Sequence, residues 1–547
     1  MRARLPFGEP WIARPGAMPR TYSTRASHIR RSRLLTFLLS FAMIFALTLI
    51  WAVATPPMAS PDEPAHAMRA AAAALGQLEG TPSTTVPGSA DVTVPRYFAE
   101  AEEHLNCYRR QILVTPSCVT PVGDPTALVI GHTTAAALNP PLFYVTVGWP
   151  ATFLDGAKAL YAMRALSALV CAALLAVAFT ALRRSSWSVL AMAVATTPMV
   201  LFLSGTVNPN GMEACAAVAA FALLTTTLRT ESTGWILIQR VALITMSSIL
   251  LINTRSLSLV WLLIIAVVSL LLAKPDVLRS VLRAPATWLG SALIGATAVW
   301  ALRFYLRPQD LTLTYSPIGA GGSWESGFFT TLDRTFEYGL GWIGHFGWLD
   351  TPAPTFTLLI WTLTAGMIIL AGLVLGSWRV RTGLILIALV MILLPALLQA
   401  ALVQDVGYVW QGRYTIALFM VVLVAAGIGL GDSVVFPTAG SPTCRLIVAG
   451  AVALGLGQIA AFVWALKRYV VSLSWDLTWI DMLTNPTWLP PGGWIPLGLA
   501  YSALIAAGTF LLIAAAASSA QLGEEDRAGE DSAADRESDP GSSPGKA

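Results

Sequence analysis

The chain has 547 residues, of which 55% are apolar and only 12% are charged. Ordinary soluble domains contain about 25% charged residues, so this composition excludes an ordinary soluble protein. Apolar runs of about 20 residues, the length needed to cross the hydrocarbon of a bilayer, recur along almost the whole sequence. The sequence therefore predicts an all-α polytopic membrane protein.

The first 33 residues form a basic N-terminal segment. Its one acid is Glu9, and its arginines are Arg2, Arg4, Arg14, Arg20, Arg25, Arg30, Arg31 and Arg33. Positive charge beside a span stays in the cytoplasm, so we expect the N-terminus inside and the loop after Ala54 outside. A nucleic-acid-binding arm is the alternative, but these charges adjoin a span. The net charge of +4 therefore indicates topology, and we expect no nucleic-acid partner.

A transmembrane domain over residues 34–516 is predicted to contain about twelve spans. The predicted spans are 34–54, 159–182, 187–206, 211–228, 236–253, 256–273, 286–306, 355–376, 382–402, 413–431, 446–466 and 495–516. Counted from an inside start, the basic clusters at 183–184, 229, 274 and 379–381 all fall in the cytoplasm. An even number of predicted spans places the C-terminus in the cytoplasm too. We therefore expect a multi-pass protein of the cytoplasmic (inner) membrane with both termini cytoplasmic.

Three outside loops are predicted to be long, at about 55–138, 307–353 and 467–494. The segment 139–154 would invert every later span if it crossed the membrane. We therefore predict a helix that lies in the outer interface. The tail 517–547 is acidic and poor in apolar residues, which is typical of a disordered cytoplasmic segment.

Two of the five cysteines, Cys107 and Cys118, fall in the same outside loop. An oxidising compartment allows such a pair to form a disulfide, which we predict here. Two free thiols or a metal-binding pair is the alternative. A lone pair of cysteines is a poor zinc site, so this alternative is poorly supported.

The stretch "SPDEPAHAMRA" (60–70) directly follows the first span and has two interpretations. In the first, Ser60 caps a helix, Pro61 takes the first helical position and Glu63 completes a capping box. In the second, the acids belong to a functional site. For Glu63 both interpretations stay open.

The functional interpretation depends on a polar stripe. On an ideal helix Asp62, His66 and Arg69 lie within about 60° of one another. The intervening positions are mostly small or apolar. This pattern suits a helix on the outer membrane surface whose polar stripe faces a cavity. An ionisable group at membrane depth is a functional candidate by default.

Five motifs, taken in order, resemble a bacterial family of predicted membrane proteins called domain of unknown function 2142. They are "SPDEPAHAMRA" (60–70), "NPPLFY" (139–144), "LSGTVNPNGME" (203–213), "GHFGWLDTPAP" (344–354) and "WQGRYTIAL" (410–418). The Pro-Pro-Leu segment and the later Arg-x-x-Ser-Ala-Leu of "MRALSAL" also resemble the membrane glycosyltransferases of the GT-C fold. The resemblance implies a GT-C-like enzyme, by analogy of fold alone.

The resemblance makes Asp62 the candidate catalytic carboxylate, with Glu63 as its neighbour. It implies a polyprenyl-phosphate-linked sugar donor and an envelope glycan or glycolipid acceptor outside the membrane. A carboxylate within reach of the acceptor hydroxyl can act as general base, and the leaving lipid phosphate needs a cation. The candidate substrate-binding residues are His66, Arg69, Arg255, Arg413, Asn208 and Asn210. Each arginine has an alternative as an interfacial anchor, and each asparagine as part of a turn.

No nucleotide-binding loop or zinc motif is visible in the sequence. A divalent cation, Mg²⁺ or Mn²⁺, at Asp62 and Glu63 stays open, because two adjacent carboxylates are too few ligands to decide it. The competing function is a transporter or flippase of a lipid-linked or envelope precursor. Transporters place charges near the midplane of discontinuous helices, and few charges lie mid-span here. Long outside loops favour the enzyme, while a scaffold would leave the polar stripe without a purpose.

Overall fold

A computed structural model of the protein describes residues 20–85, 89–133, 135–306, 318–433 and 441–514. The predicted basic residues Arg2, Arg4 and Arg14 lie outside the described residues, as does the predicted tail 517–547.

The described residues form mostly α-helices. The α-helices are α1 (Arg20–Ala54), α2 (Glu63–Ala74), α3 (Arg96–Ala99), α4 (Leu142–Gly148), α5 (Gly156–Leu182), α6 (Ser186–Ala195), α7 (Pro198–Ser204), α8 (Pro209–Arg229), α9 (Gly234–Ile252), α10 (Ser258–Leu271), α11 (Pro275–Arg283), α12 (Pro285–Tyr305), α13 (Trp324–Asp333), α14 (Thr335–Ile343), α15 (Thr355–Leu375), α16 (Trp378–Val406), α17 (Ile416–Gly431), α18 (Ser441–Val470), α19 (Trp479–Thr484) and α20 (Trp494–Ala514). The strands are β1 (Thr81–Pro82), β2 (Ala90–Pro95), β3 (Leu128–Thr133), β4 (His345–Phe346) and β5 (Thr351–Pro352).

Within the described residues, ten helices are long and apolar enough to cross a membrane. The bent pair α6 and α7 brings the number to eleven if the two helices are counted as one broken span. Helix α10 has 14 residues and a rise of about 21 Å, so it is shorter than the roughly 30 Å of hydrocarbon. Each of the twelve predicted spans overlaps one of these helices or the bent pair. The prediction of an all-α polytopic membrane protein is therefore confirmed.

Helices α8 and α17 form the centre of the bundle, since nearly all of their residues are buried. Helix α5 packs between α1 and α8, and α17 packs against α6, α8 and α15. Helices α12 and α20 lie at the periphery and expose most of their surface. The two central helices begin close to the residues of the candidate site.

The segment 139–154 contains no helix long enough to cross a membrane, and its place in the outer interface stays a prediction. It forms the seven-residue helix α4 and a following 3-10 turn. Gly148 at the end of α4 lies directly against α2, because a Cβ there would approach the carbonyl oxygen of Ala70 to 2.1 Å. Helices α2 and α4 therefore form one closely packed unit.

The first long loop contains a small antiparallel sheet with the strand order β1-β2-β3, which the sequence did not predict. Strands β2 and β3 of this sheet pack on α2, as α4 does. Nearly every residue of α2 is buried as a result. The expectation that α2 lies on the membrane surface is wrong, because the sheet and α4 cover it. The same loop contains a Cys107–Cys118 disulfide, the pair that the sequence predicts.

The break between α6 and α7 bends the chain by 64°. Carbonyl groups freed by the break accept hydrogen bonds from other helices. Trp361 Nε1 donates to the Val194 oxygen at 2.9 Å, and Gln458 Nε2 donates to the Thr196 oxygen at 2.9 Å. Protein groups therefore satisfy the backbone at this break, as burial in a membrane requires.

Candidate functional site

The candidate site lies where the segment after α1 turns into α2. Asp62 is the N-cap of α2 in a left-handed conformation, with φ 60°, and no side chain caps the helix. Ser60 instead donates from its hydroxyl to Thr206 Oγ1 at 3.2 Å. The predicted capping box is therefore wrong. The reason is the position of Glu63, whose carboxylate has a stronger partner elsewhere.

Glu63 forms a buried ion pair with Arg164 of α5. Arg164 Nη2 lies 2.5 Å from Glu63 Oε2, and Nε donates to Oε1 at 2.8 Å. The backbone N–H of Val207 also donates to Oε1 at 3.0 Å. Both charged side chains are fully buried. The geometry leaves the Glu63 carboxylate no exposed surface on which a substrate could bind.

The same arginine holds the segment that leads to Asp62. Arg164 donates to the carbonyl oxygens of Ala52, Thr55 and Pro56 at 2.9, 2.7 and 2.8 Å. The first two of these carbonyls lie at the C-terminal end of α1, where helices leave carbonyl groups without partners. One guanidinium therefore fixes the end of α1 and the start of α2 relative to each other.

Asp62 has a different environment from Glu63. Arg413 Nη2 donates to Asp62 Oδ2, and the side chain of Asp62 is 44% exposed whereas that of Arg413 is 1% exposed. Within the described residues, Nε and Nη1 of Arg413 are buried without a hydrogen-bond partner. Buried donors without partners are rare and costly. Asp62 therefore covers a guanidinium that can bind a further anion.

Arg255 supplies a second guanidinium to the site. Its Nη1 donates to Asn210 Oδ1. Its Cζ lies 4.2 Å from the centroid of the Tyr414 ring, and the Cζ of Arg413 lies 5.3 Å from the same centroid. The two arginines therefore share one aromatic ring, although they are far apart in the sequence.

Asn208 serves both of the roles that the sequence left open. Its side chain caps α8 by accepting from the backbone N–H of Asn210 at 3.0 Å. Its Nδ2 donates to the carbonyl oxygen of Pro61 at 2.8 Å, directly before Asp62. The turn at the start of α8 is therefore also a wall of the candidate site.

His66 and Arg69 both lie against the ring of Tyr144, and each also has hydrogen-bond partners in the protein. His66 Nδ1 lies 2.9 Å from the hydroxyl of Tyr144, which accepts from Asn139 Nδ2 at 3.0 Å. Arg69 is buried and donates to the carbonyl oxygens of Gln77 and Leu78, after the end of α2. Of the predicted residues, the structure brings Asp62, Arg255, Arg413, Asn208 and Asn210 together, with His66 one turn away.

Residues 45–422, more than half of the chain, match a family described as predicted membrane protein (DUF2142). The chain belongs to this family. No curated protein and no solved structure matches the chain. The resemblance to the GT-C fold therefore stays an expectation.

The DUF2142 motifs quoted from the sequence all lie in the matched region and meet in space. "WQGRY" places Arg413 on Asp62, and "GHFGWLD" supplies Trp348, whose Nε1 donates to the Met58 oxygen at 3.2 Å. Gly412 lies so close to α14 that a Cβ would approach the Tyr338 oxygen to 1.8 Å. That glycine therefore lets the chain carry Arg413 into the site.

Nearby charges and burial set the protonation states of Asp62 and His66 in this DUF2142 protein. Burial raises the pKa of Asp62, but the charges of Arg413, Arg255 and Arg110 together hold the pKa below its ordinary value. Burial lowers the pKa of His66 to about 3, more than the nearby Asp62 carboxylate raises it. At neutral pH Asp62 is therefore ionised and His66 is neutral.

The acidic side chains at the candidate site pair with arginines. Among the described residues, no group of three or more His, Cys, Asp or Glu side chains could hold a metal ion. Asp62 pairs with Arg413, whereas Glu63 pairs with Arg164. The two carboxylates therefore serve separate guanidinium groups.

The candidate list from the sequence lacked Arg164, Tyr144 and Tyr414. An arginine inside an apolar span was visible in "MRALSAL", but its partner Glu63 is 101 positions away. Tyr144 lies in "NPPLFY" and Tyr414 in "WQGRY", so both belong to motifs that resemble the family. The signal for all three was a polar or aromatic residue within a motif, without any indication of its partner.

Proposed function

We propose that this protein is a GT-C-like membrane glycosyltransferase. It transfers a sugar from a polyprenyl-phosphate donor to an envelope glycan or glycolipid on the outer face of the cytoplasmic membrane. The observation that carries the proposal is the half-exposed carboxylate of Asp62 over the buried guanidinium of Arg413, whose other donors have no partner within the described residues. This arrangement combines a general base with a site for an anion.

A phosphate group fits the charges and donors of the site. Arg413 and Arg255 supply two permanent positive charges, and guanidinium groups match phosphate oxygens in geometry. The ring of Tyr414 contacts both guanidiniums and keeps them near each other. The ionised carboxylate of Asp62 contacts Arg413, so a donor phosphate competes with Asp62 for that guanidinium.

This competition couples donor binding to activation of the base. When the donor phosphate binds Arg413, the Asp62 carboxylate loses its partner and becomes more basic. Asp62 then accepts the proton of the acceptor hydroxyl while that oxygen bonds to C1 of the sugar. The bond from C1 to the phosphate oxygen breaks, and its electron pair stays on the lipid phosphate. When the lipid phosphate leaves, Asp62 loses the proton to water and pairs with Arg413 again.

Glu63 is a positioning residue in this proposal. Its buried pair with Arg164 fixes the backbone on either side of Asp62. Asn208 holds Pro61 from the opposite side. A base must stay within hydrogen-bond reach of the acceptor hydroxyl, and these contacts restrict where Asp62 can move.

The distribution of arginines supports the proposed orientation. Arg33, Arg183, Arg184 and Arg240 lie close to one another, at span ends that the alternation of spans puts opposite Asp62. Arg229 pairs with Asp432 at 2.5 Å on that same end. An end rich in arginine faces the cytoplasm, so Asp62 faces outward.

The competing function is a transporter or flippase of a lipid-linked or envelope precursor. Discontinuous helices of transporters use their free backbone ends to bind ions or substrate. The break between α6 and α7 offers the carbonyls of Val194 and Thr196, and both already accept from Trp361 and Gln458. This observation favours the transferase.

The test is complementation of a strain that lacks the gene. Wild-type protein and the variants Asp62→Asn and Asp91→Asn are expressed at equal levels, and envelope glycans and polyprenyl-linked sugars are measured by mass spectrometry. Asp91 is the matched control, because it lies in the same loop and pairs with His132. We expect Asp91→Asn to restore the glycans, and Asp62→Asn to leave them absent while the lipid-linked donor accumulates. Full restoration by Asp62→Asn would refute the proposal and favour transport.

A further inference from the structure

Four arginines converge at the end of the bundle opposite Asp62. Arg33 begins the apolar part of α1, Arg183 and Arg184 follow α5, and Arg240 lies in the second turn of α9. Arg183 follows Arg164 by 19 residues along α5, which is a rise of about 28 Å. Each of the four lies within electrostatic range of others in the group. We call this group the four-arginine cluster.

The cluster has no acidic partner within the described part of the chain. Arg183 Nη1 donates to the Thr180 oxygen at 3.1 Å, and Arg240 Nη1 donates to Thr230 Oγ1 at 2.7 Å. The Nε of Arg33 is buried without a hydrogen-bond partner there. These neutral contacts leave the positive charges of the cluster uncompensated.

Other arginines at the same end have partners, so the cluster is not explained by topology alone. Arg229 pairs with Asp432, and Arg279 pairs with Asp276 at 3.0 Å. The positive-inside rule accounts for basic residues at this end. It does not account for four guanidiniums that gather at one place with no acid among them.

Burial makes this crowding costly. Arg183 is partly buried, and its burial together with the charges of Arg33, Arg184 and Arg240 lowers its pKa to about 10. Like charges that approach one another in a medium of low dielectric repel strongly. A bound anion between them would remove this repulsion and restore the ordinary charge balance.

The surroundings of the cluster are apolar and face outward from the bundle. Trp235 is 68% exposed in the first turn of α9, and Leu34 and Leu35 are exposed next to Arg33. Exposed tryptophan at a span end is typical of the interface between lipid headgroups and acyl chains. The cluster therefore lies at the depth of lipid phosphates.

We propose that the four-arginine cluster binds the phosphate group of an anionic membrane lipid. Basic pockets between spans on the cytoplasmic side bind such headgroups. The bound ligand has phosphodiester chemistry, and the lipid of the surrounding leaflet supplies it at high local concentration. This site is separate from Asp62 and does not depend on the proposed transferase activity.

The experiment uses the full-length protein in detergent micelles. Phosphatidylglycerol, phosphatidylethanolamine or inorganic phosphate is added, and native mass spectrometry and thermal unfolding report binding. The test variants are Arg183→Gln and the double variant Arg183→Gln/Arg240→Gln. The control is Arg279→Gln, which removes a positive charge at the same end that already has an acidic partner.

We expect phosphatidylglycerol to bind more tightly than phosphatidylethanolamine. Each arginine removed from the cluster should weaken that binding about fivefold, whereas Arg279→Gln should leave it unchanged. Equal stabilisation by inorganic phosphate would support the site with a free anion as the ligand. Equal binding of both lipids without stabilisation by phosphate would overturn the proposal, because the anionic charge of the lipid would then have no effect. An equal loss of binding in Arg279→Gln would also overturn it, because only diffuse positive charge at this end would then be acting.

Discussion

Arg164 and Glu63 form an ion pair whose charged side chains have no exposed surface, with Nη2 2.5 Å from Oε2. The pair joins the middle of the bundle to the residue next to Asp62. The position of Asp62 therefore depends on an ion pair that is closed to solvent and ligands.

Glu63→Gln should destabilise the protein strongly. The substitution removes the negative charge that compensates a buried guanidinium, and breaking such a pair costs about 3–5 kcal/mol. The temperature of unfolding, followed by intrinsic fluorescence in detergent, measures the effect. Glu79→Gln is the control, because Glu79 pairs with Arg303 at the surface, where a pair contributes at most about 1 kcal/mol. Equal losses in the two variants would contradict the inferred role of the buried pair.

Arg413→Gln should move the acidic limb of activity to higher pH. In the wild-type protein Arg413 and other cations hold the pKa of Asp62 below its ordinary value of about 3.9. Without Arg413, burial raises the pKa with less opposition, so Asp62 becomes protonated at a higher pH. Likewise, the stabilisation from this ion pair is present above pH about 3.9 and is lost as pH falls through the lowered pKa.

The measurement is the pH dependence of kcat/KM with the donor that complementation identifies. In Asp91→Asn the acidic limb of the pH profile should stay at the wild-type pH. If the acidic limb of Arg413→Gln stayed at the wild-type pH, Arg413 would not control the pKa of the Asp62 carboxylate.

Tyr414→Leu should weaken phosphate binding, and Tyr414→Phe should not. The ring lies beside the guanidiniums of Arg255 and Arg413, and phenylalanine keeps that aromatic face. A cation–π contact contributes about 0.5–2 kcal/mol, so we expect a loss of affinity of roughly 2- to 30-fold. Binding of a short-chain polyprenyl phosphate, measured by native mass spectrometry, gives the comparison. Equal losses in both variants would assign the effect to the hydroxyl.

Loss of the Cys107–Cys118 disulfide should destabilise the first loop. The bond closes a segment with a sequence separation of 11, for which loop entropy predicts a contribution of about 2–3 kcal/mol. Cys107→Ser/Cys118→Ser should therefore be cleaved by protease in this loop at lower concentrations than the wild-type protein. Cys171→Ser is the control, because Cys171 is a free thiol buried in α5. An unchanged cleavage pattern in the double variant would contradict the prediction.

Hydropathy made the spans predictable, because each span must satisfy its own backbone and present an apolar surface to lipid. The alternation of spans also placed Asp62, Arg255 and Arg413 at one end of the bundle. That is why part of the candidate site followed from the sequence without any knowledge of its contacts.

The pairing of charges was not predictable in the same way. Glu63 suited a capping box by local spacing, yet its partner Arg164 lies on another helix. Arg69 suited a phosphate contact, yet the carbonyl oxygens of Gln77 and Leu78 lie within its reach. A local sequence pattern indicates which groups a residue could bind. The packing of distant helices decides which of those groups it contacts.

The sheet of the first loop was missed for a related reason. Strand β2 pairs with β3 across more than thirty intervening positions, so no short hairpin signal marked either strand. Burial of α2 depends on that sheet. Because the sheet was not predicted, the surface position expected for α2 was wrong.

Arg468, near the end of α18, donates to the carbonyl oxygens of Tyr108, Gln111 and Val114 in the first loop. It lies beyond residue 422, where the family match stops. The ribosome synthesises the first loop long before Arg468, since 360 positions separate Arg468 from Tyr108. During synthesis the first loop therefore stays without these hydrogen bonds until almost the whole chain has been made.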